Sequence, residues 1–330
     1  MKIKAFMVAL AALVLSTNTF AQDLEIELNN TYAEAMTAIK AKQYDVALTA
    51  LYKTLDMAFE VENADYVVKA QRYIPVCNLN SGNQKLQAKD LNGALEDYAK
   101  AIESGNFYGD TKTVRNAKNR ISAIYKSMGA KAYNSKNYAS AIEVFAKGYE
   151  ANRQDTDLAL YLAQSYCELK DFENGVRVYT DIINLETRHS KFAKAAANAK
   201  SKLSNYLLVK AQEEIKKGDK DAAYATLETL VDAVPANYTN QIFRLNTAAS
   251  NSDWANLAAW GEEALAHFKG NAEQSSDINY LIAVAYDSMD QNEKAVEAYQ
   301  RVTAGKQVTA AKKRVVELNK FMKEQKAHQK

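Results

Sequence analysis

One recurring pattern constrains this chain more than its composition does. An aromatic or apolar residue is followed three positions later by a small one, and four positions beyond that by a second aromatic or apolar residue. The triplet appears as Tyr44/Ala47/Leu51, Leu91/Ala94/Tyr98, Tyr138/Ala141/Phe145, Phe172/Gly175/Tyr179, Lys220/Ala223/Leu227, Trp254/Leu257/Gly261 and Asn292/Ala295/Tyr299, the last three degenerate at one or two positions. Spacings of three and four put all three side chains on one face of a helix, and a small central residue lets a neighbouring helix approach closely. Before each triplet runs another apolar-periodic stretch with its own small residue, such as Leu162-Ala163 with Tyr166 or Ile282-Ala283 with Tyr286. A short polar turn follows it, Lys170-Asp171 or Asp290-Gln291. Each triplet therefore marks the second helix of a pair. With only 2 Pro and 11 Gly among 330 residues, 48% of them hydrophobic, the chain has few breakers to interrupt long helices.

The central residues stand at 47, 94, 141, 175, 223, 257 and 295, so successive copies differ by 47, 47, 34, 48, 34 and 38 positions. Three copies thus carry an extra 13 or 14 residues. Ala70, Ala117 and Ala199 each lie 24 positions before their own central residue, so the insertion itself repeats. Because it follows Gly105 and Gly109, read as breakers, it lengthens the first helix of the next pair to about 26 residues, roughly 39 Å. Pro75 falls inside one such helix and is expected to kink it. A fourth copy, Ala311-Lys312-Lys313-Arg314, opens a terminal helix expected to close the stack.

This pattern resembles the tetratricopeptide repeat, a helix pair of 34 residues with small residues at its eighth, twentieth and twenty-seventh positions and an aromatic at the eleventh. Thr156 to His189 and Ser276 to Thr309 fit best, although Ile182 and Val302 replace the small residue at the twenty-seventh position. Ser204 to Asn237 adds Gly218-Asp219 at its turn and Pro235 near its end. The resemblance implies an all-α, right-handed α-solenoid of about seven helix pairs, several with an elongated first helix. It also implies a non-catalytic scaffold that binds a protein or peptide on the concave surface lined by the first helices. Carried over by position, that surface includes Lys126, Ala130, Tyr133 and Asn134, then Asp157, Leu160, Gln164, Cys167 and Glu168, then Leu208, Gln212, Ile215 and Lys216. The family's carboxylate clamp pairs Lys at the fifth position with Asn at the ninth. Here Ala130 follows Lys126, which argues against recognition of a chaperone's C-terminal carboxylate.

Residues 1–21 read as a secretory leader: Lys2 and Lys4, the apolar run Ala5 to Leu15, then a polar stretch ending in Thr19-Phe20-Ala21. Cleavage after Ala21 is expected to release a periplasmic or secreted protein. Its repeat domain would span 22–304, and a capping helix with a basic tail 305–330. Eleven apolar residues are too few to cross a bilayer. Cys77 and Cys167 read as buried thiols, lying two pairs apart.

No zinc-ligand spacing surrounds His189, His267 or His328, and no nucleophile-elbow, phosphate-loop or dinucleotide motif occurs, so neither an enzyme nor a cofactor is expected. Glu213-Glu214 and Glu262-Glu263 read as solvated pairs, and most of the 20 Tyr as packing aromatics. Lys plus Arg number 42 against 40 Asp plus Glu, a balance that calls for neither nucleic acid nor a membrane surface. Locally the charge is uneven. Lys112, Arg115, Lys118, Arg120, Lys126, Lys131 and Lys136 occupy 111–136 without one acid, and Arg188, Lys191, Lys194, Lys200, Lys202 and Lys210 occupy 188–210 likewise. Two readings stand open: a solvated face pairing with neighbouring acidic helices, or a basic wall steering an acidic partner through Lys118, Arg120, Lys200 and Lys202. A glycan-binding exported helical-repeat protein is the alternative class. Such proteins usually carry a lipid-anchoring Cys and large insertions, both absent here.

Overall fold

Seven times along the chain two helices are joined by the same tight turn, and the computed structural model shows how the sequence makes it. The structure describes residues 17–268 and 270–328, with side chains from Asp23 onward. The pairs are α1 (Thr17–Lys40) with α2 (Tyr44–Glu60), α3 (Ala64–Gln87) with α4 (Leu91–Tyr108), α5 (Thr111–Asn134) with α6 (Tyr138–Ala151), and α7 (Thr156–Glu168) with α8 (Phe172–Arg188). A 3-10 turn at Ser190–Phe192 leads into α9 (Ala193–Lys217) with α10 (Lys220–Ala233). Then come α11 (Tyr238–Ser250) with α12 (Trp254–His267), α13 (Ala272–Ser288) with α14 (Asn292–Gln300), and the terminal α15 (Val308–His328). The first member of every triplet is the first residue of a second helix.

The turn before each triplet uses one device. Lys42, Lys89, Lys136, Lys170, Gly218, Ser252 and Asp290 all adopt positive φ, between 53° and 75°. The next residue donates its backbone N–H to the carbonyl five positions back, as Asp90 does to Lys85 at 2.9 Å and Asn137 to Ala132 at 2.9 Å. This left-handed close satisfies carbonyls that the first helix leaves open. The same residue caps the second helix. Asp90, Asn137, Asp171, Asp219 and Asp253 each accept from the backbone N–H three residues on, whereas Gln43 and Gln291 do not.

The small central residues are all buried, and the last residue of each triplet packs inward as well, with Tyr98 and Phe145 fully enclosed. Gly82 and Gly129 lie twelve residues before Ala94 and Ala141, against these two rings. A Cβ on Gly82 would come 2.7 Å from the Tyr98 ring, and one on Gly129 2.4 Å from the Phe145 ring. Glycine there sets the helix separation. Gly105 does not break α4 as the sequence suggested. It is buried within the helix, where a Cβ would come 2.6 Å from Val114 of α5; the left-handed Gly109 ends the helix instead.

The insertions produce first helices of 24 residues in α3 and α5 and 25 in α9, against 14 in α6 and α10. Helix α3 runs unbroken through Pro75. The chain divides into a unit ending at Ser165 and another beginning at Tyr166. In the first, α1 to α6 pack in chain order and the first helix α3 touches both α1 and α5. In the second, α8 to α15 pack in chain order, α11 touches α13, and Leu245, Leu257, Ile282, Tyr299 and Leu318 share one core. Of the expected leader, residues 1–16 lie outside the described residues. Helix α1 already begins at Thr17, so the expected cleavage point falls within it.

Candidate functional site

Helix α5 sorts its residues by charge. Asp110 caps it, accepting from the Thr113 backbone at 3.0 Å, and Val114, Ala117, Ile121 and Ile124 face the core. The outer face carries Lys112, Arg115, Arg120 and Lys131 exposed, with Lys118 half-buried. None of these five has a carboxylate within ion-pair distance among the described residues. Lys126 differs, lying 3.5 Å from Asp155 and 3.8 Å from Asp157. Asp155 also accepts from Ser122 Oγ at 2.5 Å and from the Leu158 backbone at 3.1 Å, so one carboxylate ties α5 to the start of α7. Tyr133 is half-buried, edge-on to Tyr138 and Tyr161 at 5.4 Å each, and Tyr161 stacks on Phe145. Asn134 is exposed at the end of α5, Gln164 is half-buried and Glu168 is exposed.

On α9, in the other unit, more of the charge is spent internally. Lys200 pairs with Glu186 at 2.9 Å, and Lys210 reaches Glu214 at 2.6 Å, hydrogen-bonds Thr226 and sits 4.9 Å from the centre of the Phe172 ring. Lys202 is half-buried without an ion pair, and Gln212 is exposed. Pairing at Lys126, Lys200 and Lys210 is what a solvated face produces. The unpaired row on α5 is what a recruiting wall requires. Cys167, carried over as a groove residue, is buried instead, and its backbone carbonyl accepts from the Tyr206 hydroxyl at 2.8 Å. Burial pushes both the Cys77 and Cys167 thiols up to about 12.

Arg244 carries no signal in the sequence and is the most enclosed cation described, 2% exposed. Its guanidinium lies 4.3 Å from the Trp260 ring centre and donates to Glu263 at 3.1 Å, while Glu262 pairs with Arg301 at 2.8 Å. Glu263 is exposed and Glu262 partly so, as the sequence suggested, and each is also the counter-ion of a separate arginine. In the other pair Glu213 is exposed, and Glu214 is half-buried against Lys210. A single apolar-flanked Arg gives no periodic signal, and only packing shows its burial.

Among the described residues no three His, Cys, Asp or Glu side chains gather where they could hold a metal ion, and no helix is long and apolar enough to cross a membrane. The model of the tetratricopeptide repeat matches 276–304, one of the segments that best fit the pattern. This segment is similar to a tetratricopeptide repeat. Within it Ala283 and Ala295 are buried at the family's eighth and twentieth positions, and Tyr286 at the eleventh is half-buried. The chain is also similar to solved structures at low superposition scores. The tetratricopeptide domain of P58(IPK) is 13% identical, with 91% of this chain and 99% of that one covered and a TM-score of 0.30. A tetratricopeptide repeat protein from Parabacteroides merdae is 13% identical, with 88% and 98% covered and a TM-score of 0.27. The TPR2AB domain of yeast Sti1, solved as a pHSP90 complex, is 14% identical, with 74% and 98% covered and a TM-score of 0.29. No curated protein matches the chain. The helix pairs themselves, rather than these superpositions, define the fold.

Proposed function

We propose that this chain is a non-catalytic scaffold of tetratricopeptide type that binds a protein or peptide partner, with α5 steering an acidic one. The observation that carries this reading is the row Lys112, Arg115, Lys118, Arg120 and Lys131, held outward by a buried apolar face and unpaired among the described residues. Cations that stabilised the fold would sit beside carboxylates, as Lys126 does. Exposed like charges on one helix face instead repel mildly and gain only when an anion arrives. Asn134, Gln164, Glu168, Lys202 and Gln212 would supply polar contacts along the first helices.

The test is binding of a fluorescent glutamate-rich peptide measured by anisotropy. Lys118→Glu with Arg120→Glu should slow association by roughly tenfold at low salt and abolish its salt dependence, since rim charges act mainly on association rate. Lys200→Glu, which removes a cation already paired to Glu186, should change it little. Equal association by parent and the α5 variant would refute the reading. We further infer that the protein works after export, on the strength of Lys2, Lys4 and the apolar run to Leu15. N-terminal sequencing of the secreted form should then begin at Gln22, and an intact Met1 on the mature protein would refute export.

A further inference from the structure

We infer that a groove between α8 and α10, floored by α9, is a docking site for a cationic amphipathic helix of a partner protein. This is a different face from α5 and stands independently of the reading above. The groove has a volume of about 520 Å³ and lies wholly within the second unit. Phe172 and Val176 form one wall, Ala222, Ala225 and Thr229 the other, and Leu207 lies on the floor. Its size falls in the range of about 300–1,000 Å³ typical of clefts that take ligand side chains. The alanine wall allows close approach of a backbone, which suits apolar anchors at helical spacing.

Charge then selects the occupant. The cation that lines the groove, Lys210, is already engaged by Glu214 at 2.6 Å, and Lys220, at the start of α10, is held by Asp253 at 2.8 Å. Arg177, exposed on α8, donates to Asn174 at 2.8 Å. The acids are not engaged. Glu173 lines the groove, and Asp221, Glu228 and Asp232 flank the alanine wall one helical turn from Ala225 or Thr229. All four are exposed and without an ion pair among the described residues. An apolar trough lined by the free carboxylate of Glu173, with three more free carboxylates exposed on the helix that forms its alanine wall, attracts a helix with an apolar ridge and lysine or arginine flanks. It repels a polyphosphate chain.

The test uses the full chain and a fluorescein-labelled 14-residue peptide with leucines at helical i, i+3, i+4 spacing and lysines elsewhere. Three controls accompany it: the same composition scrambled, a glutamate-for-lysine version and a glutamine-for-lysine version. We expect the lysine helix to bind at least about tenfold more tightly than any of the three. Ala225→Phe, at an exposed position, should fill the groove and reduce that binding at least about tenfold, with circular dichroism unchanged. Glu173→Gln with Asp221→Asn and Glu228→Gln should remove the salt dependence. Lys118→Glu with Arg120→Glu on α5 should leave lysine-helix binding as in the parent, which separates this site from the acidic-partner surface. Equal binding of the scrambled or glutamate peptide, or unchanged binding by Ala225→Phe, overturns the proposal.

Discussion

Lys136 and Gly218 occupy the same place in two copies of one turn, at φ 58° and 75°, yet only one is the residue type that position favours. Six of the seven pair-joining turns put a side chain into the left-handed region, which costs about 1 kcal/mol or more each time. Lys136→Gly should therefore raise stability by about 0.5–1 kcal/mol, less than the full strain because glycine also frees the unfolded chain. Gly218→Ala should lower it by about 1 kcal/mol. Urea unfolding of the two variants should show opposite shifts in midpoint. Gly129 tests the other use of glycine. Glycine to alanine inside a helix ordinarily gains about 1 kcal/mol, but here the new methyl would meet the Phe145 ring 2.4 Å away. Overpacking should win, and Gly129→Ala should destabilise by about 1–3 kcal/mol.

Two ionic links hold elements together. Between α3 and α4, Asp97 is 3% exposed and accepts from Ser81 Oγ at 2.6 Å, with Lys85 at 2.7 Å. Burial alone would raise its pKa, but the Lys85 and Ser81 hydrogen bonds outweigh that and hold it below the usual carboxylate value. The fold favours the charged form, so this contribution is complete above the unfolded value near about 4 and is lost as pH falls through the lowered folded value. Asp97→Asn should cost about 2 kcal/mol at neutral pH. It should also flatten the loss of stability on acidification, which urea midpoints at pH 7 and pH 3 would show; parallel midpoints for variant and parent would contradict this. The second link joins α15 to α13. Arg314 donates to both oxygens of Asp287, at 2.6 and 2.8 Å, and the Tyr299 hydroxyl donates to the same carboxylate at 3.2 Å. Around it Ala311 and Leu318 of α15 are buried, with Val308, Val315 and Met322 partly buried against the same core. Arg314→Ala should increase amide exchange throughout α15 while leaving α11 and α12 protected.

At the scale of the molecule the cores are local. Within each unit, from α1 to α6 and from α8 to α15, helices contact their neighbours in chain order, so stability is a sum of pair and nearest-neighbour contributions, and a defect should spread only as far as its own stack. Hydrogen exchange can check this. Gly129→Ala, between α5 and α6, should speed exchange in the first unit and leave the core of α12 to α14 at parental rates. Uniform acceleration from α1 to α15 would mean that the described residues unfold as one cooperative block.

The helix pairs, their lengthened first members and their boundaries were legible in the residues because each pair repeats the same short-range rule. Side chains three and four apart share a face, and before five of the seven triplets an Asp or Asn caps the next helix. The left-handed Lys42, Lys89, Lys136 and Lys170 could also have been found, since each lies two residues before a triplet, but lysine gives no conformational signal of its own. Only the tertiary structure decided which cations are free. Lys126, Lys200 and Lys210 lie in the same acid-free runs as Lys118 and Arg120, and they are neutralised by Asp155, Glu186 and Glu214. It also decided that Arg244 is buried against Trp260 and that Ala222 and Ala225 face Phe172 across a groove. Local periodicity specifies a helix and its inward face. Pairing of charges and opening of clefts depend on distances between helices, which no single stretch of sequence contains.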